Sequence, residues 1–475
     1  MLGGTGTAAA AQDWAELLQV ATPPTADMLA QGIGHDPLQC QHADQAAEQM
    51  AYALDVLAAR GEIDPDSPQA QQFVLDYLRD VTMHEVGHTL GLRHNFRASR
   101  AVSASQVADP EFTRHEAFTG SVMEYAAINL PRPGEPAGAP FQVTLGPYDY
   151  WAIEYAYKPF TPEQEAGELA RIAARSGEPA LAFGTDEDNF LGIDPDSLQF
   201  DLGDDVLAFA ARRFDIARDL FQRQERRALK PGEDYAGLRR ALAYAVRDAG
   251  RAAGVLLRQM GGVRTLRDFA NTGRDPLQPL PAADQRAALQ LLSQRVLAAD
   301  AFAVSPALQR RLAPDYFERA DALLATPTEY PLAQTVLDLQ RTILNRLMGD
   351  ALAARLLDSE RQFSPPAQPL RLSELYDQLE ADVWSELASG GDIAPPRRAL
   401  QREHVNRLVT LVLRPGLMTR SDARALLRSR SAALAQRLER NASRKGLSAE
   451  ARAHLVDSAE SLRSALAAPL QRAGA

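Results

Sequence analysis

The sequence predicts a mainly α-helical protein with little or no sheet. Ala, Leu, Arg, Gln and Glu are abundant and aromatics make up only 7% of the chain, a balance that favours helices over strands. Apolar residues recur at helical spacing through most of the chain beyond residue 160. No succession of alternating Val/Ile/Thr/Tyr runs occurs in the first 83 residues, which read as loop and helix. At 475 residues the chain is long for one domain. It divides by character into an irregular segment, 1–40, a region of concentrated polar motifs, 41–160, and a helical C-terminal domain, 161–475.

The elements follow in order. Residues 1–40 mix Gly, Ala, Pro and polar residues, with weak helical patches near 14–20 and 25–31. A helix is expected from Ala43 to Ala59, with the apolar Met50, Ala53, Leu54 and Leu57 on one side and Gly61 as its stop. The turn Asp64-Pro-Asp-Ser-Pro starts the next helix, about Gln69–Leu90. Phe73, Val74, Tyr77, Leu78, Val81, Val86 and Leu90 form its expected buried stripe. Residues 95–145 read as loop with short elements, and 141–145 as a short candidate strand or extended segment. Pro147 and Asp149 suit the start of a helix reaching Tyr157. Helical patterns then cover 162–174, 203–228, 235–258, 282–299, 305–325, 331–358, 371–388, 396–413, 420–440 and 447–471, with no constant repeat period.

Composition excludes several classes. With 51 basic and 62 acidic residues the formal net charge is −11, which argues against a general binder of nucleic acid or anionic membranes. One cysteine, Cys40, leaves no partner for an intrachain disulfide and no cysteine-based zinc finger. No apolar run of 18 residues is present to span a membrane. Met1–Ala11 lacks the basic start and apolar core of a signal peptide, so the sequence as it stands predicts a cytoplasmic protein.

The most informative segment is His84-Glu85-Val86-Gly87-His88-Thr89-Leu90-Gly91-Leu92-Arg93-His94, which reads HExxHxxGxxH. His84 and His88 are four apart and share one helix face about 6 Å from each other. That suits two imidazoles meeting one zinc ion. Glu85 is placed to reach water beside the metal rather than the metal itself. Gly91 permits the positive φ that ends a helix and returns His94 as a third ligand. Three protein ligands leave a position open, the arrangement of catalytic zinc. With 8 histidines in the chain, the full pattern arises by chance in roughly 1 chain in 10^5, so buried structural histidines are the weaker reading. His35, His42, His115, His404 and His454 show no paired ligand spacing.

Followed downstream by Ser121-Val122-Met123-Glu124-Tyr125 and Leu145–Tyr157, this motif resembles the metzincin metallopeptidases, most closely the bacterial EcxA-like zinc-binding family. The resemblance implies that Met123 is the Met-turn residue, an apolar floor beneath the metal. It also implies that Tyr125 reaches the zinc or the developing oxyanion. Glu124 stands where the related branches usually have His. Large family members carry long N-terminal regions and are typically exported, so the chain resembles the C-terminal part of a longer, exported protein, or a shortened homologue.

The expected function is zinc-dependent endopeptidase action on protein or peptide substrates. Zinc on His84, His88 and His94 would activate water, with Glu85 as general base. Two other readings stay open: a zinc-binding fragment impaired in catalysis for want of a substrate-pairing strand, and a helical interaction module. The Asp-rich stretch 184–205 could hold Ca²⁺, but its spacing is not that of an EF-hand. A solvated loop ending in an Asp helix cap fits it better. Oligomeric state is not encoded in any motif.

Overall fold

A computed structural model describes residues 42–267, 270, 272–313, 329–363, 368–416 and 419–469. Cys40, His35 and the expected helical patches of 1–40 lie outside the described residues. The helices are α1 (His42–Arg60), α2 (Pro68–Thr89), α3 (Ala104–Val107), α4 (Pro110–His115), α5 (Pro147–Tyr157), α6 (Pro162–Ala173), α7 (Asp186–Leu191), α8 (Val206–Arg226), α9 (Ala236–Gln259), α10 (Ala282–Leu292), α11 (Pro306–Gln309), α12 (Leu332–Leu347), α13 (Asp350–Ser359), α14 (Leu372–Val383), α15 (Glu386–Ser389), α16 (Pro395–Leu413), α17 (Ser421–Ala442) and α18 (Ala449–Ala467). Among the described residues the only sheet is a two-stranded antiparallel ribbon, β1 (Val263–Thr265) with β2 (Leu277–Pro279), in the register Val263↔Pro279. The protein is mainly α, as its composition implies.

The described residues fall into two compact units, one within 40–336 and 362–370, the other within 337–361 and 371–475. The first unit holds every motif residue singled out above. Its frame is α8 and α9 packed together with α1 against both. The buried pair Arg213–Asp248 ties α8 to α9, and Arg213 also donates to the Ile128 carbonyl (2.9 Å). Glu48 of α1 pairs with Arg247 and Arg251, and Asp55 with Arg240. In the second unit α16, α17 and α18 pack on one another. There His404 accepts from the Trp384 indole (3.2 Å) and His454 bonds Gln401 (2.9 Å). Burial lowers both imidazoles to about 4, so they are neutral packing groups.

Local chemistry sets the boundaries of α2. Ser67 caps it by accepting from Ala70 N, and Pro68 occupies the first turn. At the other end Gly91 has φ +81°. Gly91 N donates to His88 O (3.0 Å) and Leu92 N to Gly87 O (3.1 Å), the paired bonds of a Schellman cap. In the same way Gly61, at φ +73°, ends α1 at Arg60.

The expected inner faces are corrected. On α2 the buried residues are Ala70, Phe73, Asp80, His84 and Gly87, whereas Leu78, Val86 and Leu90 are 50%, 48% and 40% exposed. The helix turns its histidine face inward: of the expected stripe Phe73 is buried, Val74, Tyr77 and Val81 are half-buried, and Leu78, Val86 and Leu90 are carried outward. On α1 the buried residues are His42, Ala46, Gln49, Tyr52, Ala53 and Val56, and Met50, Leu54 and Leu57 are only half-buried. Residues 141–145 form no strand, and the buried Gln142 side chain accepts from Phe118 N (3.0 Å). The long helix expected over 331–358 is divided at Gly349, which starts α13.

Candidate metal centre

The centre is built on α2. His84 and His88 project from its last two turns, and the Schellman cap brings back Leu92–His94. One ligand nitrogen from each of His84, His88 and His94 lies within 4.8 Å of the others. His84 and His94 are buried and His88 is half-buried. Glu85 is exposed beside them, and its charge reaches His94.

Each imidazole is oriented through its other nitrogen. Nδ1 of His84 donates to Val122 O (2.7 Å), that of His88 to Leu92 O (3.0 Å), and that of His94 to Asp186 Oδ1 (2.7 Å). Those acceptors require a proton on every Nδ1, so every Nε2 carries a bare lone pair. Nε2 of His88 and His94 nonetheless face each other at 3.1 Å. Two lone pairs at that separation repel unless a cation lies between them. Tetrahedral zinc with Zn–N bonds of about 2.0–2.1 Å brings its nitrogens to about 3.3 Å. The donor set therefore fits zinc.

Burial depresses all the affected imidazoles. His84 is lowered to about 2 by burial first and by the His42 charge second. His94 is lowered because burial outweighs its bond to Asp186. Burial works to raise Asp186, but the His94 hydrogen bond prevails and its carboxyl sits below the ordinary range.

The turn carrying Met123 lies against the ligand helix. Met123 is fully buried, and a Cβ on Gly87 would stand 2.2 Å from its sulfur. The absence of a side chain at Gly87 thus lets Met123 approach between the two ligand histidines. Asp149, at the start of α5, holds the turn by accepting from Ser121 Oγ (2.6 Å), Val122 N (2.9 Å) and Gly146 N (2.8 Å). The Val122 peptide thereby links Asp149 on one side to His84 on the other.

Tyr125 is buried, with its ring 4.8 Å from His94, 5.0 Å from His42 and 5.5 Å from His84. Glu124 points away from the histidines, accepting from Ser99 N (3.0 Å) and Tyr125 N (3.1 Å). Burial raises it to about 8.

Two site residues escaped sequence reasoning. His42, the first residue of α1, stacks on His84 at 4.3 Å and 22°. It is buried and lowered to about 4, by burial first and the neighbouring His94 and His88 second. No periodicity links it to the motif. Asp186 lies 92 residues beyond His94, and its only signal was the acidic stretch around it.

The rest of that stretch is tied to protein partners. Asp188 accepts from Thr185 N, Asp194 from Thr265, Asp196 from Arg264 and Asp201 from Ser99 Oγ. Asp204 accepts from Ala104 N, and Asp205 caps α8.

A three-histidine cluster with two members buried and one half-buried, its ligands oriented from behind, defines a zinc-site protein of the HExxHxxGxxH class. Comparison with protein families gives the particular one: the family described as Met-zincin matches residues 66–391, and the chain belongs to it. No curated protein and no solved structure gives a significant match. Among the described residues no helix is long and apolar enough to cross a membrane.

Proposed function

We propose that this protein is a zinc-dependent endopeptidase, most similar to the EcxA-like group, acting on a protein or peptide substrate. One observation carries the reading: three histidines oriented so that their Nε2 lone pairs converge, in a chain of the Met-zincin family. Bound zinc supplies Lewis acidity, polarising a carbonyl and acidifying water. His84, His88 and His94 hold the metal, and Met123 forms the floor under them. Glu85, next to a ligand yet exposed, takes a proton from the attacking water and returns it to the leaving amine. Tyr125, whose ring packs edge-on against His94, is the residue we assign to steadying the developing oxyanion.

The test is hydrolysis of a generic protein substrate by the purified chain, with chelator and then with zinc restored. Activity lost to chelator and regained with zinc is expected. Glu85→Gln should keep zinc and lose hydrolysis, and full activity in that variant would sink the assignment of Glu85. A second reading, zinc binding without peptidase activity, is favoured by one feature. Among the described residues the only strands are at 263–265 and 277–279, none of them before α2. Zinc uptake by a chain with no hydrolysis on any substrate would establish that alternative.

A further inference from the structure

His94 differs from the other two ligands. His84 and His88 sit on a helix and donate to backbone carbonyls, whereas His94 lies past the helix end and donates to a carboxylate. A loop ligand has no helical backbone to fix its direction, so its orientation depends on what grips the loop. Here the grip comes from residues 182–198. Phe96 N donates to Gly184 O (2.7 Å) and Leu198 N to Phe96 O (2.8 Å). Asn95, fully buried, donates through Nδ2 to Ala182 O (3.0 Å) and accepts at Oδ1 from Gly184 N (3.2 Å). From the other side Asn95 N donates to Met123 O (2.9 Å).

Asp186 is itself held. Its Oδ1 accepts from His94, and its Oδ2 accepts from Thr185 Oγ1 (3.1 Å) and faces Arg93 (3.4 Å). Arg93, the residue before His94, also pairs with Glu187 (2.7 Å). The carboxylate thus meets the third ligand with a fixed geometry and with negative charge. That fixes the His94 tautomer, turns Nε2 to the metal and strengthens it as a donor.

We propose that Asp186 is the positioning residue of the zinc site, so that the site is completed by a segment 92 residues past its last ligand. The inference rests on the zinc reading above. It goes beyond that reading by making the motif region alone insufficient for full affinity. All three ligands lie within 84–94, yet one of them is aimed by 182–198.

The test is zinc affinity, measured by competition with a chromophoric chelator on the full chain, with the visible spectrum of the cobalt-loaded protein reporting ligand geometry. Asp186→Ala should bind zinc about 10- to 100-fold more weakly, as removal of such outer partners does. Asp186→Asn keeps size and an acceptor but not charge, and should fall between that variant and wild type with an altered cobalt spectrum. Should Asp186→Ala fail to fold, Asp186→Asn carries the test. Asp188→Asn is the control: it keeps an acceptor for Thr185 N and removes only the charge facing Arg267, without touching His94. Its affinity should match wild type. Affinities within twofold of wild type for Asp186→Asn and Asp186→Ala overturn the role of Asp186. So does an equal loss in Asp188→Asn, which would show that the loss is not specific to Asp186. A wild-type chain that takes up no zinc overturns the zinc reading itself, and is distinguishable from both.

Discussion

Asp149 offers the sharpest perturbation, because one carboxylate both caps α5 and holds the turn under the histidines. Asp149→Ala removes the acceptor for Ser121 Oγ, Val122 N and Gly146 N in a buried setting. Each buried donor left without a partner costs about 1–3 kcal/mol. Ser121 can turn its hydroxyl elsewhere, so two backbone donors dominate and the expected loss is about 2–6 kcal/mol. That is a large share of the ~5–15 kcal/mol that stabilises a typical domain. The second effect passes through Val122, whose carbonyl orients His84. Loosening that peptide should weaken zinc binding about tenfold, equivalent to about 1.4 kcal/mol. Zinc adds stability in proportion to the logarithm of its concentration over its dissociation constant. The variant should therefore lose more stability with excess zinc than without it. Urea unfolding of both proteins, zinc-free and zinc-loaded, measures both quantities. A zinc-free loss under about 1 kcal/mol, or an identical loss in the two states, would refute the coupling of Asp149 to the ligand.

Two further predictions use the buried titratable groups. Neither ring nitrogen of His42 has a hydrogen-bond partner among the described residues, so His42→Phe should leave stability unchanged or raise it by about 1 kcal/mol. A loss above about 2 kcal/mol on thermal unfolding would show that those nitrogens are partnered. Stability of the zinc-free protein should peak near pH 6–7. His42, His84, His404 and His454 are held below their ordinary value, so the unfolded chain binds more protons up to about pH 6.5 and stability rises with pH to that point. Asp80 and Glu124 are raised by burial to about 7 and about 8, so from about pH 4 upward the folded chain holds protons the unfolded chain has lost; the four histidines outweigh these two carboxyls up to about pH 6.5, and beyond it stability falls. Urea midpoints from pH 5 to 8 check the shape, and Glu124→Gln should flatten the descending side.

Local signals served the sequence reading well. Ser67-Pro68 and Gly91 mark the ends of α2, Gly61 the end of α1, and the spacing of four puts His84 and His88 on one face. These are effects of neighbouring residues, and neighbours are visible in sequence. Asp186 and His42 were not legible, because their contacts with the site span 92 and 42 residues and rest on no repeating pattern.

The misread faces of α1 and α2 have a common cause. Residues 117–131 are almost wholly buried yet contain neither helix nor strand. Backbone donors in a buried, irregular stretch need partners, and secondary structure cannot provide them. Side chains do so instead: Gln49 of α1 accepts from Ile128 N, Gln142 from Phe118 N, Glu124 from Tyr125 N, and Asp149 from Val122 N. Polar side chains therefore occupy the interior around the metal centre, on helix faces that hydrophobic spacing assigns to solvent. Met50, Leu54 and Leu57 yield the inner position on α1 to Gln49 and Tyr52, as Val86 and Leu90 yield it on α2 to Asp80 and His84. Amphipathic pattern locates a core made of side chains packed on regular elements. Around this site the core includes a buried loop, and one of the polar residues that satisfy its backbone, Asp149, holds Val122, whose carbonyl orients His84.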